Sequence, residues 1–220
     1  MAFSLRHIRY NPELRRIIYV IPFTSIIEQN AKVFSNILGE KYVLEHHSNY
    51  DFDQNDEQKY NIKKLSAENW DIPIVVTTNV QFFESIYGNK PSKLRKLHNI
   101  TNSIIILDEV QMLPTEYIIP CAKALEELVH NYNCSVILCS ATQPELERFM
   151  SKKIKTEEIC SNVSELYDFF NKTRVKFIGQ ITSDELVRKL NDIDQCLLIV
   201  NTKKQARKLY EKLIKTYGKK

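Results

Sequence analysis

The sequence predicts an α/β fold in which a parallel β-sheet is flanked by helices, and two features of the chain predict it. The first is a set of short, branched apolar runs at residues 17–21, 74–77, 104–107 and 136–139. Such runs are typical of strands buried on both faces, which belong to parallel sheets. The second is the helical spacing of apolar residues between the runs, as expected of the helices that connect parallel strands.

Composition places the chain among globular proteins. It has 220 residues, of which 43% are hydrophobic and 26% charged, enough for a core in one or two domains. The net charge of +4 is compatible with nucleic acid but does not indicate it. The five cysteines form no C-x-x-C pair, which favours reduced thiols and argues against zinc. No apolar run approaches the ~20 residues of a membrane span, so we expect a cytoplasmic protein without a membrane partner.

Helix starts and stops divide the chain into further elements. Three S/T-x-x-E/Q patterns predict capped helices, beginning at Ser25, Thr78 and Thr202. Other predicted helices cover 1–10, 59–69, 120–130 and a short stretch from Pro144. Residues 42–47 predict a short strand; its adjacent histidines should point to opposite faces, which disfavours a shared metal.

The chain is organised around residues 104–111, where a buried strand runs into Asp108 and Glu109. Ligands of open parallel sheets bind beyond the carboxyl ends of the strands, where a carboxylate can hold Mg²⁺ and its neighbour can orient a water. A solvated turn is the alternative interpretation. Hydroxyl residues end other strands, and they can bind phosphate or simply cap helices. The basic run 90–96 is either a solvated helix face or a phosphate-binding rim.

The chain divides into two lobes on this interpretation. Residues 1–150 form the first lobe and residues 151–173 a polar linker. Residues 174–220 begin a second βαβα run, with strands at 175–178 and 196–200 and helices at 183–190 and 203–217.

Seven ordered motifs resemble those of superfamily 2 helicases, and in detail those of the helicase of type I CRISPR interference systems. They are IYVIPFTSIIEQN (18–30), LEHHSN (44–49), VTTNVQFFES (76–85), RKLHNI (95–100), LDEVQMLP (107–114), SATQP (140–144) and VNT (200–202). The resemblance implies a RecA-like, P-loop NTPase type of sheet. It also implies ATP and Mg²⁺ as cofactors and single-stranded DNA as a partner. Further implied partners are the CRISPR RNA-guided surveillance complex and a nuclease domain or subunit.

The resemblance also implies residue roles. Asp108 would bind Mg²⁺, Glu109 would polarise the attacking water, and Gln111 would complete the catalytic set. The other implied residues fall into two groups. The group coupling nucleotide state to lobe movement is Ser140, Ala141 and Thr142. The single-strand contacts are Pro22, Phe23, Thr24, Ser25, Thr77, Thr78, Asn201 and Thr202.

Two family features are missing from the sequence. It has no G-x-x-x-x-G-K-[ST] phosphate loop and no His-Asp dipeptide of the metal-dependent nuclease domain. We therefore expect a central piece of an ATP-dependent helicase that does not hydrolyse ATP by itself. We also expect the strand at 136–139 to have unpaired backbone groups on one side. The alternatives are another superfamily 2 DNA or RNA helicase, or a non-enzymatic nucleic-acid-binding remnant.

Overall fold

The computed structural model of the protein describes residues 1–48, 57–140, 146–150, 154, 156–191 and 193–218. The strands are β1 Arg16–Ile21, β2 Val43–His46, β3 Ile74–Thr78, β4 Ser103–Leu107 and β5 Ser135–Leu138. The longer helices are α1 Ala2–Tyr10, α2 Thr24–Leu38, α3 Glu57–Asn69, α4 Asn79–Tyr87, α7 Ile118–Asn131, α9 Ser183–Asn191 and α10 Lys203–Tyr217. Shorter helices are α5 Pro91–Leu94, α6 Leu97–Ile100 and α8 Val163–Phe170. The chain forms two compact units, Met1–Glu157 and Glu158–Lys220.

All five strands form one parallel sheet, in the order β2-β3-β1-β4-β5. Each connection between consecutive strands contains at least one helix, as parallel pairing requires. The predicted RecA-like parallel α/β fold is therefore confirmed, and the short strand predicted within residues 42–47 is present as β2.

Helices cover both faces of the sheet, because successive strand residues point to opposite sides. On one face Ile27 and Ala31 of α2 pack against apolar side chains of the sheet. On the other face Phe82 of α4 and Leu125 of α7 pack into a larger cluster. Trp70, at the end of α3, is fully buried in that larger cluster, as its position in the sequence predicted. Burial on both faces explains why the strand sequences are almost continuously apolar.

Strand β5 lies at one edge of the sheet. Among the described strands it pairs with β4 alone, which agrees with the expectation of an unpaired edge. Its residues are only partly covered, and Leu138 is 38% exposed. The short helix predicted from Pro144 begins outside the described residues; Leu146–Phe149 form a 3₁₀ helix.

The second unit differs from its prediction. Its helices α9 and α10 are present, and the Lys212 ammonium pairs with the Asp184 carboxylate at 2.6 Å. The strand predictions at 175–178 and 196–200 are wrong, since no strand occurs among residues 158–191 and 193–218. Phe177 is 96% exposed and Leu197 is 86% exposed. An apolar run becomes a strand only where a neighbour satisfies its backbone groups. Helix α8 lies within the stretch predicted as a linker.

The helices of the described residues include none that is both long enough and apolar enough to span a lipid bilayer.

Candidate functional site at the carboxyl edge of the sheet

The predicted site residues of the first unit follow strands that all point the same way. Pro22 follows β1, Asp108 follows β4 and Ser140 lies two residues beyond β5. Because parallel strands end at one edge, these residues share that edge of the sheet. The Asp108 amide extends the ladder by donating to the Val20 carbonyl at 2.9 Å, so the acid is attached directly to the central strand.

Asp108 has both carboxylate oxygens oriented by hydrogen bonds. The Tyr19 hydroxyl donates to Oδ2 at 2.9 Å, and the Glu109 amide donates to Oδ1 at 3.0 Å. Burial raises the pKa of the Tyr19 phenol well above its ordinary range, and its bond to the Asp108 carboxylate adds to the rise. The phenol therefore stays a neutral donor. Sequence reasoning missed Tyr19. In the sheet Tyr19 pairs with Ile106 of β4. Asp108 lies two residues after Ile106 and therefore on the same face as Tyr19.

Glu109, Gln111 and Ser140 form one hydrogen-bonded chain. The Ser140 hydroxyl donates to Gln111 Oε1 at 2.6 Å, and Gln111 Nε2 donates to the Glu109 carboxylate. Glu109 itself has a left-handed backbone, with φ 50° and ψ 47°, which non-glycine residues rarely adopt outside special sites. These hydrogen bonds link the end of β4 to the residues that follow β5. Ala141 and Thr142, the other two predicted coupling residues, lie outside the described residues.

The donors at this edge fit a hard cation. Mg²⁺ prefers carboxylate and other oxygen ligands, and Asp108 and Glu109 supply two adjacent carboxylates. The neighbouring Cys139 thiol is a poorer ligand, because burial raises its pKa and the Asp108 carboxylate raises it further. Asp108 is therefore the candidate magnesium ligand, with the Glu109 carboxylate beside it.

The turn after β1 presents a helix start to solvent. Residue Phe23 is the N-cap of α2 and makes no side-chain cap bond, so the capping box predicted at Ser25 is wrong. Thr24 and Ser25 are instead the first two helical residues, and Phe23 is 45% exposed. First-turn amides of a helix are available donors for an anion such as a phosphate. The geometry at Pro22–Ser25 thus suits contact with a nucleic-acid backbone.

The two threonines at the end of β3 are less accessible. Thr77 is fully buried and its hydroxyl donates to the His46 carbonyl at 2.8 Å. Thr78 is 7% exposed, and its hydroxyl accepts from the Gln81 amide at 3.0 Å, which is the predicted helix cap. Both hydroxyls are already hydrogen-bonded within the protein. Contact of these two threonines with single-stranded DNA therefore stays a prediction without support from side-chain exposure.

The remaining residues predicted to contact single-stranded DNA belong to the second unit. Asn201 and Thr202 are exposed at the start of α10. The Thr202 hydroxyl accepts from the Gln205 amide at 3.2 Å, which is the predicted cap of that helix. The exposed Asn201 amide group is the more available of the two side chains.

The basic run 90–96 is largely engaged within the first unit. The Lys93 ammonium pairs with the Glu84 carboxylate at 2.6 Å, and the Arg95 guanidinium pairs with Glu68 at 3.2 Å. Lys96 is only 5% exposed, with its ammonium 5.7 Å from the centre of the Trp70 ring. These contacts favour a structural role for the run over a phosphate-binding rim.

The adjacent histidines face opposite sides of β2, as predicted. The Trp70 indole N–H donates to His46 Nδ1 at 3.2 Å, and burial lowers the pKa of His46 to about 4, with Lys96 adding to the effect. His47 instead lies 2.9 Å from the Glu45 carboxylate. The two imidazoles therefore belong to different environments and do not share a site.

Comparison with known proteins adds a family match and one relative. The sequence model described as DEAD/DEAH box helicase matches residues 1–149. The chain is also similar to a CRISPR-associated nuclease/helicase Cas3 from Haloferax volcanii, with 32% identity over 152 residues. That alignment covers 61% of this chain and 16% of the relative, so the chain spans a small part of that protein's length.

Proposed function

Since the chain belongs to the DEAD/DEAH box helicase family, we propose that it is part of an ATP-dependent helicase or translocase acting on single-stranded DNA in CRISPR antiviral defence. The CRISPR part of the proposal is supported by the similarity to the Haloferax protein. The enzymatic part is carried by one observation, the oriented Asp108–Glu109 pair linked through Gln111 to Ser140.

The first-unit residues have distinct proposed roles. Asp108 would hold Mg²⁺, because Tyr19 and the Glu109 amide fix the direction of its two oxygens. Glu109 would orient the attacking water. Gln111 and Ser140, joined at 2.6 Å, would pass the change in nucleotide state from β4 to β5. Bound Mg²⁺ would neutralise charge on the transferring phosphate.

Gripping the nucleotide requires more than this edge supplies. In phosphoryl transfer nearly all the catalysis is positioning and charge stabilisation. The backbone amides and lysine of a G-x-x-x-x-G-K-[ST] loop normally provide them, and the sequence holds no such loop. We therefore propose that residues 1–220 alone do not hydrolyse ATP.

The proposed nucleic-acid contacts are the turn from Pro22 to Ser25 in the first unit and, separately, Asn201 and Thr202 in the second unit. Exposed first-turn amides and hydroxyls suit the sugar–phosphate backbone and carry no base preference. Binding should be weak and should fall as salt rises. A surveillance complex that supplies the strand and a nuclease domain or subunit that cuts it are the further proposed partners.

The decisive experiment measures phosphate release in the presence of single-stranded DNA and Mg²⁺. We compare residues 1–220 with the same chain extended at its amino end by a family-like segment carrying the phosphate loop. The short chain should be inactive and the extended chain active. In the extended chain Asp108→Asn and Glu109→Gln should each abolish turnover, because one removes a charged metal ligand and the other the water-orienting carboxylate.

Glu116→Gln is the matched control, since Glu116 is an exposed carboxylate nearby in the chain and should be dispensable. Melting temperatures of all variants check that loss of turnover is not loss of fold. Turnover by the short chain that Glu109→Gln abolishes would disprove the need for the loop. Near-normal turnover in extended Asp108→Asn would remove Asp108 from the magnesium site.

A further inference from the structure

A second cluster of metal-ligating side chains lies at the carboxyl end of the edge strand β2, which is separated from β4 and Asp108 by β3 and β1. It consists of Glu28 from α2 and Glu45 and His47 from the end of β2. Their carboxylate oxygens and imidazole nitrogen all lie within 4.8 Å of one another. Neither the family match nor the proposed function makes use of these three residues together.

Strand and helix geometry explain why the three side chains converge. Side chains two residues apart on a strand share a face, so Glu45 and His47 lie on the same side of β2 as Val43. That is the face on which α2 packs, through Ile27. Glu28 is the next residue of the helix, and it completes the cluster over the end of β2.

Burial of Glu45 and His47, two of the three members, distinguishes the cluster from a chance group of surface acids. The His47 side chain is 2% exposed and that of Glu45 is 15% exposed. His47 Nε2 lies 2.9 Å from a Glu45 oxygen, so the imidazole is directed into the cluster. Two carboxylates this close to each other repel when both are ionised, and a bound cation offsets that repulsion.

The donor set selects the kind of cation. An imidazole nitrogen suits first-row transition ions, whereas Mg²⁺ and Ca²⁺ prefer sites made of oxygen alone. Three protein ligands from nitrogen and carboxylate oxygen are a common zinc set, with a water in the fourth position. His46, on the opposite face and bonded to Trp70, takes no part.

We propose that Glu28, Glu45 and His47 bind one divalent first-row transition ion of the Zn²⁺ type. The ion ties the first turns of α2 to the end of β2. It therefore stabilises the part of the first unit that holds the exposed turn Pro22–Ser25, and it does so whether or not the chain acts on DNA.

The test is a zinc titration of residues 1–220 by calorimetry after treatment with chelator. Cys160 and Cys196 are exposed thiols that also bind zinc, so all proteins carry Cys160→Ser and Cys196→Ser. We expect one ion per chain and a rise in melting temperature on binding. Glu28→Gln and Glu45→Gln should each weaken binding at least about tenfold, since even loss of an outer-shell partner has effects of that size.

Glu28→Gln is the key variant, because Glu28 is exposed and the amide keeps its shape, so the fold should survive. Glu40→Gln, at another exposed carboxylate of the same region, is the matched control and should bind like the parent. Cobalt in place of zinc should give a spectrum without thiolate charge-transfer bands. No binding at millimolar zinc, or equal binding by the parent, Glu28→Gln and Glu45→Gln, would overturn the proposal.

Discussion

Replacing Tyr19 with phenylalanine removes one hydroxyl from the candidate site and leaves the rest of the ring. That hydroxyl donates to Asp108 Oδ2 at 2.9 Å, whereas the ring packs edge-on against Phe34 with centroids 5.3 Å apart. Phenylalanine keeps the ring contact and loses only the hydrogen bond. The variant therefore isolates the contribution of the Tyr19–Asp108 bond to the free energy of unfolding.

The size of the effect follows from the surroundings of the bond. A hydrogen bond to a charged group contributes about 1.5–3 kcal/mol, and exposure to solvent lowers that contribution. Tyr19 and Asp108 are only partly buried, and Asp108 keeps its second donor, the Glu109 amide. We therefore expect Tyr19→Phe to lower the free energy of unfolding by about 1 kcal/mol at neutral pH.

The effect of Tyr19→Phe on the free energy of unfolding also depends on pH. Folding raises the pKa of Tyr19 above its ordinary value of 10.0, chiefly through burial. The stability that this pKa shift contributes is fully present below pH 10.0, the ordinary pKa. It is lost as pH rises from there toward the raised pKa of the folded protein. By pH 11 the loss in the parent reaches at most about 1.4 kcal/mol, and we take about 1 because solvent screens a half-buried group. Phenylalanine has no proton to lose, so the two proteins should converge in stability.

The assay is urea denaturation of residues 1–220 at neutral pH and near pH 11. Fluorescence of Trp70, the single tryptophan and fully buried, reports on the first unit. Tyr10→Phe serves as control, because Tyr10 is 71% exposed and its loss should change neither measurement. Equal stability of Tyr19→Phe and the parent at neutral pH, or a difference that widens at high pH, would refute the reasoning.

Two further substitutions test the surroundings of the site. The pKa of His46 is lowered from 6.5 to about 4, so stability should be full above the ordinary value and be lost as pH falls toward the lowered one. Over that pH range the free energy of unfolding of His46→Gln should fall by roughly 2 kcal/mol less than that of the parent, after allowance for screening. Urea denaturation at several pH values measures this, with the exposed His130→Gln as control. Parallel pH curves for His46→Gln and the parent would contradict it. Glu109→Gly should be more stable than Glu109→Ala by about 1 kcal/mol, because only glycine adopts the φ of 50° without strain; equal melting temperatures would count against strain at this residue.

Interactions between residues close in sequence were predictable from the sequence. The caps at Thr78 and Thr202 are confirmed, since each joins a hydroxyl to an amide three residues later. The same pattern at Ser25 gave a wrong prediction. There the N-cap is Phe23, two residues before Ser25, and Ser25 is itself a helical residue. The local pattern therefore places a helix here but does not determine the residue at which it starts.

Strand formation shows a second limit. The apolar runs at 104–107 (IIIL) and 196–200 (CLLIV) look alike as sequence, yet only the first is a strand. The run at 104–107 lies between β1 and β5, which satisfy its backbone on both sides. No strand pairs with 196–200 among the described residues. Local composition gives the tendency to extend, whereas the neighbouring strand supplies the hydrogen bonds that stabilise it.

The sequence by itself determined that the polar residues after β1, β4 and β5 lie at one edge, because buried apolar strands pair in parallel and parallel strands end together. Only the tertiary structure decided which of them touch. Tyr19 reaches Asp108, 89 residues away, because β1 lies beside β4, and Gln111 reaches Ser140, 29 residues away, across the adjoining ends of β4 and β5. Strand order is set by how helices and strands pack over the whole first unit, and no local pattern of residues encodes it.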